Sequence, residues 1–438
     1  MSIPAGEVYK KAEIPVISGS ATADKLTKDN PFYFRVVANN SQQAEILAYY
    51  SKNILNYSDM YIVYDEDDYG LNLCEAFEKT AQKLNIQINR KWSLNHEWNF
   101  SHRQEDLDKR IKNIVKDMSE LKDKPEAIFL AIHDAEALPL IKYMKDYHLD
   151  IPLICSEAVG MVSFGGNFKK FPLEQKSPGF YTDGIYASTD FISDVANENA
   201  KQFTQKFRKK YNRTPGSEAI SNYDAVGIAI EAIRKADISG RNIQEDRKKI
   251  RDYLASVNRV ENAFNGLSGH IFFDSVGNAL RSITMGTFYN QKLISAPIQL
   301  NPIAELSTII SLKKNRKKSE DIVKIGDTYL QITKVVYTGS DIIEIKDLDF
   351  ENSTCFLDFH LWFRFHGELD TENFEFVNAV EPIKIENLIH EKKTAQAIYR
   401  LYRVKGRFKM DFLPYGTAEE NKHIIGFSFY HKELPRER

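Results

Sequence analysis

Apolar strands alternate with amphipathic helices through the first part of the chain, and this alternation restricts the folds that the chain can adopt. The pattern predicts strands at Met60–Tyr64, Ile86–Trp92, Ala127–Ile132 and Ile151–Cys155, separated by helices that begin near Gly70 and that span Glu105–Met118 and Glu136–Tyr147. Strands that are apolar throughout are typical of a sheet buried on both faces, and helical connections join parallel strands by right-handed crossovers. We therefore expect an α/β fold with a parallel sheet.

A loop of small residues follows an earlier strand. The strand Ile14–Ser18 runs directly into the loop Gly19–Thr22, whose side chains are too small to shield the backbone amides. Ligands of open α/β sheets bind beyond the carboxyl ends of the strands, and exposed amides beside hydroxyl groups suit a carboxylate. The alternative is an ordinary strand-to-helix turn in which Thr22 or Asp24 caps a helix.

Composition narrows the classes of partner. The 438 residues exceed what one hydrophobic core usually spans, so we expect at least two domains. The formal charge is only −2, so no net field favours nucleic acid or an anionic membrane as partner. The cysteines Cys74, Cys155 and Cys355 lie far apart and have no metal-ligand spacing. We expect no disulfide framework, no metal and no cofactor.

The alternation changes after Gly179. Further elements are predicted as a strand at Phe180–Tyr186, helices at Ser193–Tyr211, Glu218–Ala236 and Asp246–Val257, and strands at Gly269–Asp274 and Thr284–Phe288. The second of these helices carries Tyr223-Asp224-Ala225-Val226 and then Ile230 and Ile233 on one face. The first domain is predicted to close near Pro302.

Several short motifs occur in an order that resembles a known family. They are the strand Ile14–Ser18 with Ser20-Ala21-Thr22, then Tyr33-Phe34-Arg35-Val36, Asp68-Tyr69-Gly70, Ser156-Glu157, the run from Phe203 through Phe207 and Tyr211 to Pro215, and Tyr223-Asp224-Ala225-Val226. In this order they resemble the type I periplasmic binding proteins, specifically the branched-chain amino-acid and amide group that feeds ABC transporters. The resemblance implies a two-lobed α/β fold over residues 1–302, with lobe segments 1–37 plus 188–266 and 38–187 plus 267–302.

The resemblance also implies what precedes these motifs in family members. Members begin with a further strand–helix–strand–helix unit before the loop that contains Ser20, and Met1–Lys11 lack the apolar core of a signal peptide. We therefore expect the fold to be incomplete at its N-terminus, since the loss of central strands would expose a sheet edge and an apolar face. The implied location is periplasmic or extracytoplasmic, and the implied partner is an ABC permease or a membrane-embedded continuation.

The family assigns roles to six positions. By resemblance, Ser20, Ala21 and Thr22 hold the ligand α-carboxylate through backbone amides and hydroxyls, Glu157 accepts from the α-ammonium, and Tyr69 and His133 enclose the ligand. The chain departs from the family in having His133 where a phenol is usual and Ala158 where glycine is common. An imidazole favours a ligand with a polar side chain over a purely aliphatic one.

Each of these assignments has a plainer alternative. His133 could be a strand-end histidine bonded to a nearby backbone group. Glu157 could be a carboxylate near a helix N-terminus, and Tyr69 could serve only in packing.

The hydrophobic period changes to two beyond a basic stretch. Residues 303–321, which include Lys313–Lys318, are interpreted as a charged linker, and residues 322–438 as an antiparallel β-sandwich. Strands are predicted at Tyr329–Tyr337, Asp341–Phe350, Thr354–Phe365, Ile398–Phe412 and His423–Tyr430. This region resembles the extracellular β-sandwich of bacterial pentameric ligand-gated channels in the segments Leu361-Trp362-Phe363 and Val404–Phe408. The segment Phe412-Leu413-Pro414-Tyr415 matches a loop motif of that family in part.

Two functions are compatible with these observations. The first is extracytoplasmic binding of a small solute, most directly a branched-chain amino acid or an analogue, for ABC-type transport. The alternative is a receptor ectodomain that senses a ligand and signals through the β-sandwich. An enzyme is not expected, since the sequence contains no nucleophile or metal constellation with supporting context.

Overall fold

The computed structural model divides the chain into two compact units. It describes residues 2–94, 103–303, 321–325, 328–370, 373–394, 397–415, 422–424, 427 and 429–431. The first unit spans Met1–Thr333 and the second spans Lys334–Arg438.

All α-helices of the described residues lie in the first unit. They are α1 (Ser2–Lys11), α2 (Asn40–Asn53), α3 (Asp68–Lys83), α4 (Arg103–Glu120), α5 (Asp134–Asp146), α6 (Pro172–Lys176), α7 (Glu198–Tyr211), α8 (Ser217–Lys235) and α9 (Ile243–Ser256). The strands are β1 (Val16–Ser18), β2 (Tyr33–Arg35), β3 (Asp59–Asp65), β4 (Gln87–Leu94), β5 (Ala127–Ala131), β6 (Leu153–Cys155), β7 (Tyr186–Thr189), β8 (Phe264–Gly266), β9 (Gly269–Ile271), β10 (Thr284–Tyr289), β11 (Lys292–Ser295), β12 (Ile298–Pro302), β13 (Ile322–Ile325) and β14 (Thr328–Lys334). Within the part of the chain that the structure describes, the helices lack the combination of length and hydropathy that a membrane span needs.

A seven-stranded sheet forms the centre of the larger lobe. Its order is β11-β10-β7-β6-β5-β3-β4, with parallel pairing from β7 to β4 and antiparallel pairing of β10 and β11. Buried side chains cover both faces: Val63 and Leu130 pack towards α4 and α5, whereas Ile62 and Phe129 pack towards α2 and α3. The predicted α/β fold with a parallel sheet is confirmed.

The smaller lobe contains β1 and β2, which pair in parallel, together with α7, α8, α9 and the hairpin of β8 and β9. Its core joins Phe34 to Ile228, Leu254 and Phe273. Ala279 packs in the same core, so the chain stays in this lobe beyond residue 266, where we predicted that it leaves. The chain crosses between the lobes near Val37, Asp190 and Arg281, since residues on either side belong to different cores.

Helix α8 presents an apolar face to solvent. Tyr223, Val226, Ile230 and Ile233 lie three or four residues apart and are between 45% and 60% exposed. The opposite face, which includes Ile228, is buried. The shared face that the sequence predicts is therefore present, but within the described residues it is not part of a core.

Two predicted elements are wrong in position. Phe180 and Tyr181 lie in a turn, where Tyr181 stacks on Phe168 at 5.3 Å between ring centroids, and the strand predicted there is β7 instead. The helix predicted from Ser193 begins at Glu198, because Asn197 caps it by accepting from the amide of Ala200 at 2.9 Å.

The boundary of the second unit also differs from the predicted one. Strands β13 and β14 pair with each other and lie beside β12 in a three-stranded sheet, and the second unit begins at Lys334 rather than at residue 322. The basic run Lys313–Lys318 lies outside the described residues.

The second unit is antiparallel throughout its described strands. These are β15 (Tyr337–Asp349), β16 (Thr354–Phe365), β17 (Phe374–Phe376), β18 (Leu388–Lys393), β19 (Ile398–Lys409), β20 (Asp411–Tyr415), β21 (Lys422–Ile424) and β22 (Phe429–His431). The main sheet has the order β15-β16-β19-β18, and the separate pair of β17 and β22 contributes Phe376 and Phe429 to the same core as Phe359. Strand β16 has the predicted bounds and the predicted buried face, so the antiparallel β domain is confirmed.

A buried carboxylate links the two central strands of this sheet. The Asp358 side chain is only 3% exposed, and its two oxygens accept from Arg403 Nε and Nη2 at 2.9 and 2.7 Å. Lys405 Nζ lies 3.2 Å from the same carboxylate. The hydrogen bonds from Arg403 lower the pKa of Asp358 to about 2. The ionised pair therefore stabilises the folded unit above about pH 4, and this contribution is lost as the pH falls through 2.

We predict that Asp358→Asn destabilises the second unit by about 2 kcal/mol, because a buried charge-assisted pair loses its anion. Hydrogen exchange of the β16 and β19 amides in the full chain measures the effect. Asp347→Asn is the matched control, because Asp347 is 61% exposed and lies 3.7 Å from Arg407. Equal exchange rates in the two variants would contradict the prediction.

Candidate functional site

A cleft of about 600 Å³ in the first unit brings together all six predicted site residues: Ser20, Ala21, Thr22, Tyr69, His133 and Glu157. The loop of residues 20–22 and the start of α8 come from the smaller lobe, and the loops after β3, β5 and β6 come from the larger lobe. Parallel strands end at a common edge of the sheet, which explains why residues so distant in sequence converge.

The N-terminus of α3 is held directly against this sheet edge. Asp67 caps the helix by accepting from the amides of Tyr69 and Gly70 at 3.1 and 2.8 Å. A Cβ atom at Gly70 would come within 2.4 Å of the Asp65 carbonyl oxygen, so glycine is required for this approach. The Tyr69 side chain is thereby positioned in the cleft.

Tyr69 forms one wall of the cleft together with His133. The two rings stack at 4.6 Å between centroids, with 22° between their planes. The Tyr69 hydroxyl donates to Ser156 Oγ at 2.9 Å. Burial, and then the negative charge of Glu157, raise the pKa of Tyr69 well above its usual value, so the phenol is neutral at pH 7.

His133 is bonded to a carboxylate rather than to a backbone group. Its Nε2 lies 2.9 Å from Asp67 Oδ2, and its backbone amide donates to Asp65 Oδ2 at 2.9 Å. The hydrogen bond with Asp67 raises the pKa of His133 above its ordinary value, although burial opposes the rise. Burial would raise the pKa of Asp67, but the bonds to His133 and to the Gly70 amide lower it. The pair therefore favours an imidazolium beside a carboxylate.

Glu157 presents an acceptor without a donor. Its Oε2 atom is buried and has no hydrogen-bond partner among the described residues. Burial and the nearby negative charge of Asp190 raise the pKa of Glu157 to about 7, against the opposing effects of Tyr69 and Gln43. A cationic donor in the cleft would satisfy this oxygen and restore the carboxylate.

The loop of residues 20–22 differs from its expected role. The amides of Ser20 and Ala21 donate to the hydroxyl of Ser18, at 3.3 and 2.9 Å, and so are occupied within the loop. Within the described residues, the amide and hydroxyl of Thr22 make no hydrogen bond. Of the loop amides that were predicted to bind the α-carboxylate, only that of Thr22 is therefore open to a ligand.

A buried cation lies behind this loop. Arg35 is fully buried, and it donates from Nη1 to the Ala21 carbonyl at 3.3 Å and from Nη2 to Thr27 Oγ1 at 3.2 Å. Burial lowers the pKa of Arg35 to about 10, so the guanidinium remains charged at pH 7. Its field adds to the open groups of Thr22 and favours an anion at this end of the cleft.

Sequence reasoning missed three residues that line the cleft, Asp67, Asp190 and Ser221, and it missed Arg35 behind the loop. Asp190 directly follows β7, as Glu157 follows β6, and a correct strand assignment would have found it. Asp67 lies in the acidic loop before Tyr69. The sequence does not indicate which acid of this loop pairs with His133. Ser221 lies on α8 and is 1% exposed, and its Oγ atom has no partner among the described residues.

We predict that Asp67→Asn lowers the pKa of His133 towards its ordinary value. Asparagine can still cap α3, but it carries no charge to hold the imidazolium. NMR titration of the His133 ring in the full chain measures the change. Asp68→Asn removes an exposed neighbouring charge and should leave the titration midpoint near that of the unaltered chain; an equal shift in both variants would contradict the assignment of Asp67.

Comparisons with known proteins bear on both fold and class. Residues 1–283 match the family described as "Receptor family ligand binding region". A comparison with curated proteins finds no match.

Solved structures with a similar fold cover about two thirds of the chain. The leucine binding protein LivK of Thermotoga maritima MSB8 is 18% identical and aligns over 67% of this chain and 75% of its own, with a TM-score of 0.53. The branched-chain amino acid transporter substrate binding protein LivJ of Streptococcus pneumoniae, in complex with isoleucine, is 22% identical over 67% and 75%, with a TM-score of 0.53. An ABC transporter solute binding protein of R. palustris, in complex with benzoate, is 16% identical over 66% and 72%, with a TM-score of 0.54.

These neighbours share the fold that the sequence motifs predict. The family match extends over well more than half of the chain. The family is one of ligand-binding regions, so the match assigns ligand binding to residues 1–283. The chain belongs to the receptor family of ligand binding regions, and its first unit has the fold of the type I periplasmic binding proteins.

Proposed function

We propose that the cleft binds a free amino acid or a close analogue outside the cytoplasm and delivers it to an ABC-type permease. The observation that carries the proposal is the presence of two opposite subsites in one cleft. Thr22, in front of the buried Arg35, offers an open amide and hydroxyl, whereas Glu157 offers a buried acceptor. An α-carboxylate and an α-ammonium have the complementary charges.

The energetics favour a zwitterion at these subsites. Charge-assisted hydrogen bonds are worth about 1.5–3 kcal/mol each, more than bonds between neutral groups. A bound ammonium would also remove the cost of the unpaired Glu157 oxygen. Both ends of an amino acid therefore contribute to affinity before its side chain makes any contact.

The two stacked rings enclose the remaining part of the ligand. Tyr69 and His133 present an aromatic wall with a charged edge, formed by the pair of His133 and Asp67. The solved neighbours that bind leucine and isoleucine support an amino acid as ligand, and branched-chain amino acids are the first candidates. The neighbour that binds benzoate supports a carboxylate as the common feature.

A second candidate function is ligand sensing by a receptor. The observation that favours it is the separate antiparallel unit after residue 333, which is additional to the ligand-binding fold. Hydrogen exchange with and without ligand separates the two. Unchanged protection in β15–β19 supports transport, whereas a ligand-dependent change in those strands supports a receptor.

We predict that Glu157→Gln weakens binding of an amino-acid ligand by about 2 kcal/mol, or roughly 30-fold in Kd, because the buried ammonium loses its charged partner. Calorimetry on the full chain with a panel of amino acids measures this loss. Glu198→Gln, which changes an exposed acid on α7, is the control and should bind normally. Undiminished binding by the Glu157 variant would refute the proposed ammonium subsite.

The raised pKa of Glu157 predicts that ligand affinity depends on pH. With a pKa of about 7 in the empty cleft, Glu157 gains its charge as the pH rises from 6 to 8, and an ammonium ligand binds only the charged form tightly. Affinity should therefore increase over this range in the unaltered protein. In Glu157→Gln the increase should be much smaller, and an equal increase would assign the effect to another group.

A further inference from the structure

The cleft is lined by an excess of acids. Its lining includes six carboxyl side chains, which belong to Asp67, Asp68, Asp134, Glu157, Asp190 and Glu218. Among its described lining residues there is no lysine or arginine, and His133 is the one basic side chain. The protein as a whole is almost neutral, with a formal charge of −2, so this concentration is a property of the cleft.

Only part of this negative charge is neutralised within the protein. His133 pairs with Asp67 at 2.9 Å. Lys25 lies 3.7 Å from Asp68, but both side chains are more than 65% exposed, so solvent screens the pair. Burial raises the pKa of Asp190 although the charge of Arg281 opposes the rise, and the described hydrogen bonds of Arg281 go to the backbone carbonyls of Val36 and Asp190 rather than to the Asp190 carboxylate.

Two of these acids interact. The negative charge of Asp190 adds to the burial that raises the pKa of Glu157, and both residues line the cleft. One ligand ammonium can lie between them. Asp134 and Glu218 would then remain without a cation from the ligand, at the start of α5 and α8 respectively.

A second, independent feature points to a ligand group on this side. The Ser221 hydroxyl is buried, lines the cleft and has no partner among the described residues. Ser221 lies one helical turn after Ser217 and Glu218 on α8. A hydroxyl can accept from an ammonium group that the nearby carboxylate also attracts. The cleft of about 600 Å³ has room for a ligand longer than its zwitterionic end.

We propose that the physiological ligand carries a second positive charge on its side chain, as a basic amino acid does. The inference rests on the proposed function and narrows it: Glu157 and Asp190 receive the α-ammonium, while Asp134, Glu218 and Ser221 receive the side-chain cation. It departs from the expected branched-chain ligand, because an aliphatic side chain would place apolar surface against Asp134 and Glu218 and give neither acid a counter-charge.

Calorimetry on the full chain at pH 8 and low salt tests the inference with matched probes. Lysine and norleucine have the same zwitterionic end and nearly the same length, and differ in the terminal ammonium. We expect lysine to bind about tenfold or more tightly than norleucine, and glutamate to bind weakest. The preference for lysine should decrease as salt is added, because part of it arises from charges near solvent.

Variants assign the preference to residues. Glu218→Gln and Asp134→Asn should each reduce the ratio of lysine to norleucine affinity, and Ser221→Ala should reduce it to a smaller extent. Glu198→Gln removes an exposed acid outside the cleft and should leave the ratio unchanged. A ratio that changes as much in Glu198→Gln as in Glu218→Gln would mean that overall charge is responsible, and would overturn the assignment.

The outcomes separate this inference from the proposed function. Leucine or norleucine binding as tightly as lysine would overturn the second-charge inference and leave amino-acid binding intact. Cadaverine binding in the absence of lysine binding would support a cationic ligand and contradict the carboxylate subsite at Thr22. No binding by any amino acid would overturn the proposed function, and with it the inference.

Discussion

One guanidinium group connects the segments at which the chain crosses between the lobes. Arg281, itself in a crossing segment, donates from Nη1 to the Val36 carbonyl at 2.8 Å and from Nη2 to the Asp190 carbonyl at 2.6 Å. Backbone carbonyl groups at such crossings need hydrogen-bond donors, and a planar guanidinium group supplies two N–H donors in a fixed geometry. The relative position of the Thr22 loop and of Glu157 depends on this junction. Asp190 connects it to the ligand site, because its side chain lines the cleft.

The strands and site residues that were predicted correctly follow from patterns that are visible in short stretches of sequence. Strand β16 shows strict alternation, and its bounds and buried face follow from period-two patterning alone. Tyr69, His133 and Glu157 follow strand ends, and the topology of a parallel sheet brings such positions together. Asp190 obeys the same rule, but the aromatic run at Phe180 was taken for the strand, although those rings pack in a turn. The missed residue follows from that single misplacement.

Other features of the site depend on competition between side chains, which no local pattern records. The Ser18 hydroxyl occupies two loop amides that the sequence left open to a ligand. The pair of Asp67 and His133 joins residues 66 positions apart, and several acids of the same loop were equally plausible partners. Arg35 stands alone in an apolar run, where its burial beneath the loop could be known only from the fold. Sequence thus located the cleft, whereas its electrostatics required the structure.

The buried acids of the cleft lower the stability of the empty protein and, at the same time, determine which ligands it prefers. Burial raises the pKa of both Glu157 and Asp190, and the negative charge of Asp190 raises that of Glu157 further, so the empty cleft resists the ionised form of both acids. A neutral core of the same size would be more stable. This destabilisation decreases when a cation binds, since the ligand then supplies a positive charge beside Glu157 and Asp190. A neutral ligand leaves the cost in place. The acids that destabilise the empty cleft are therefore the groups that discriminate among ligands, whereas the stacked rings of Tyr69 and His133 enclose the ligand.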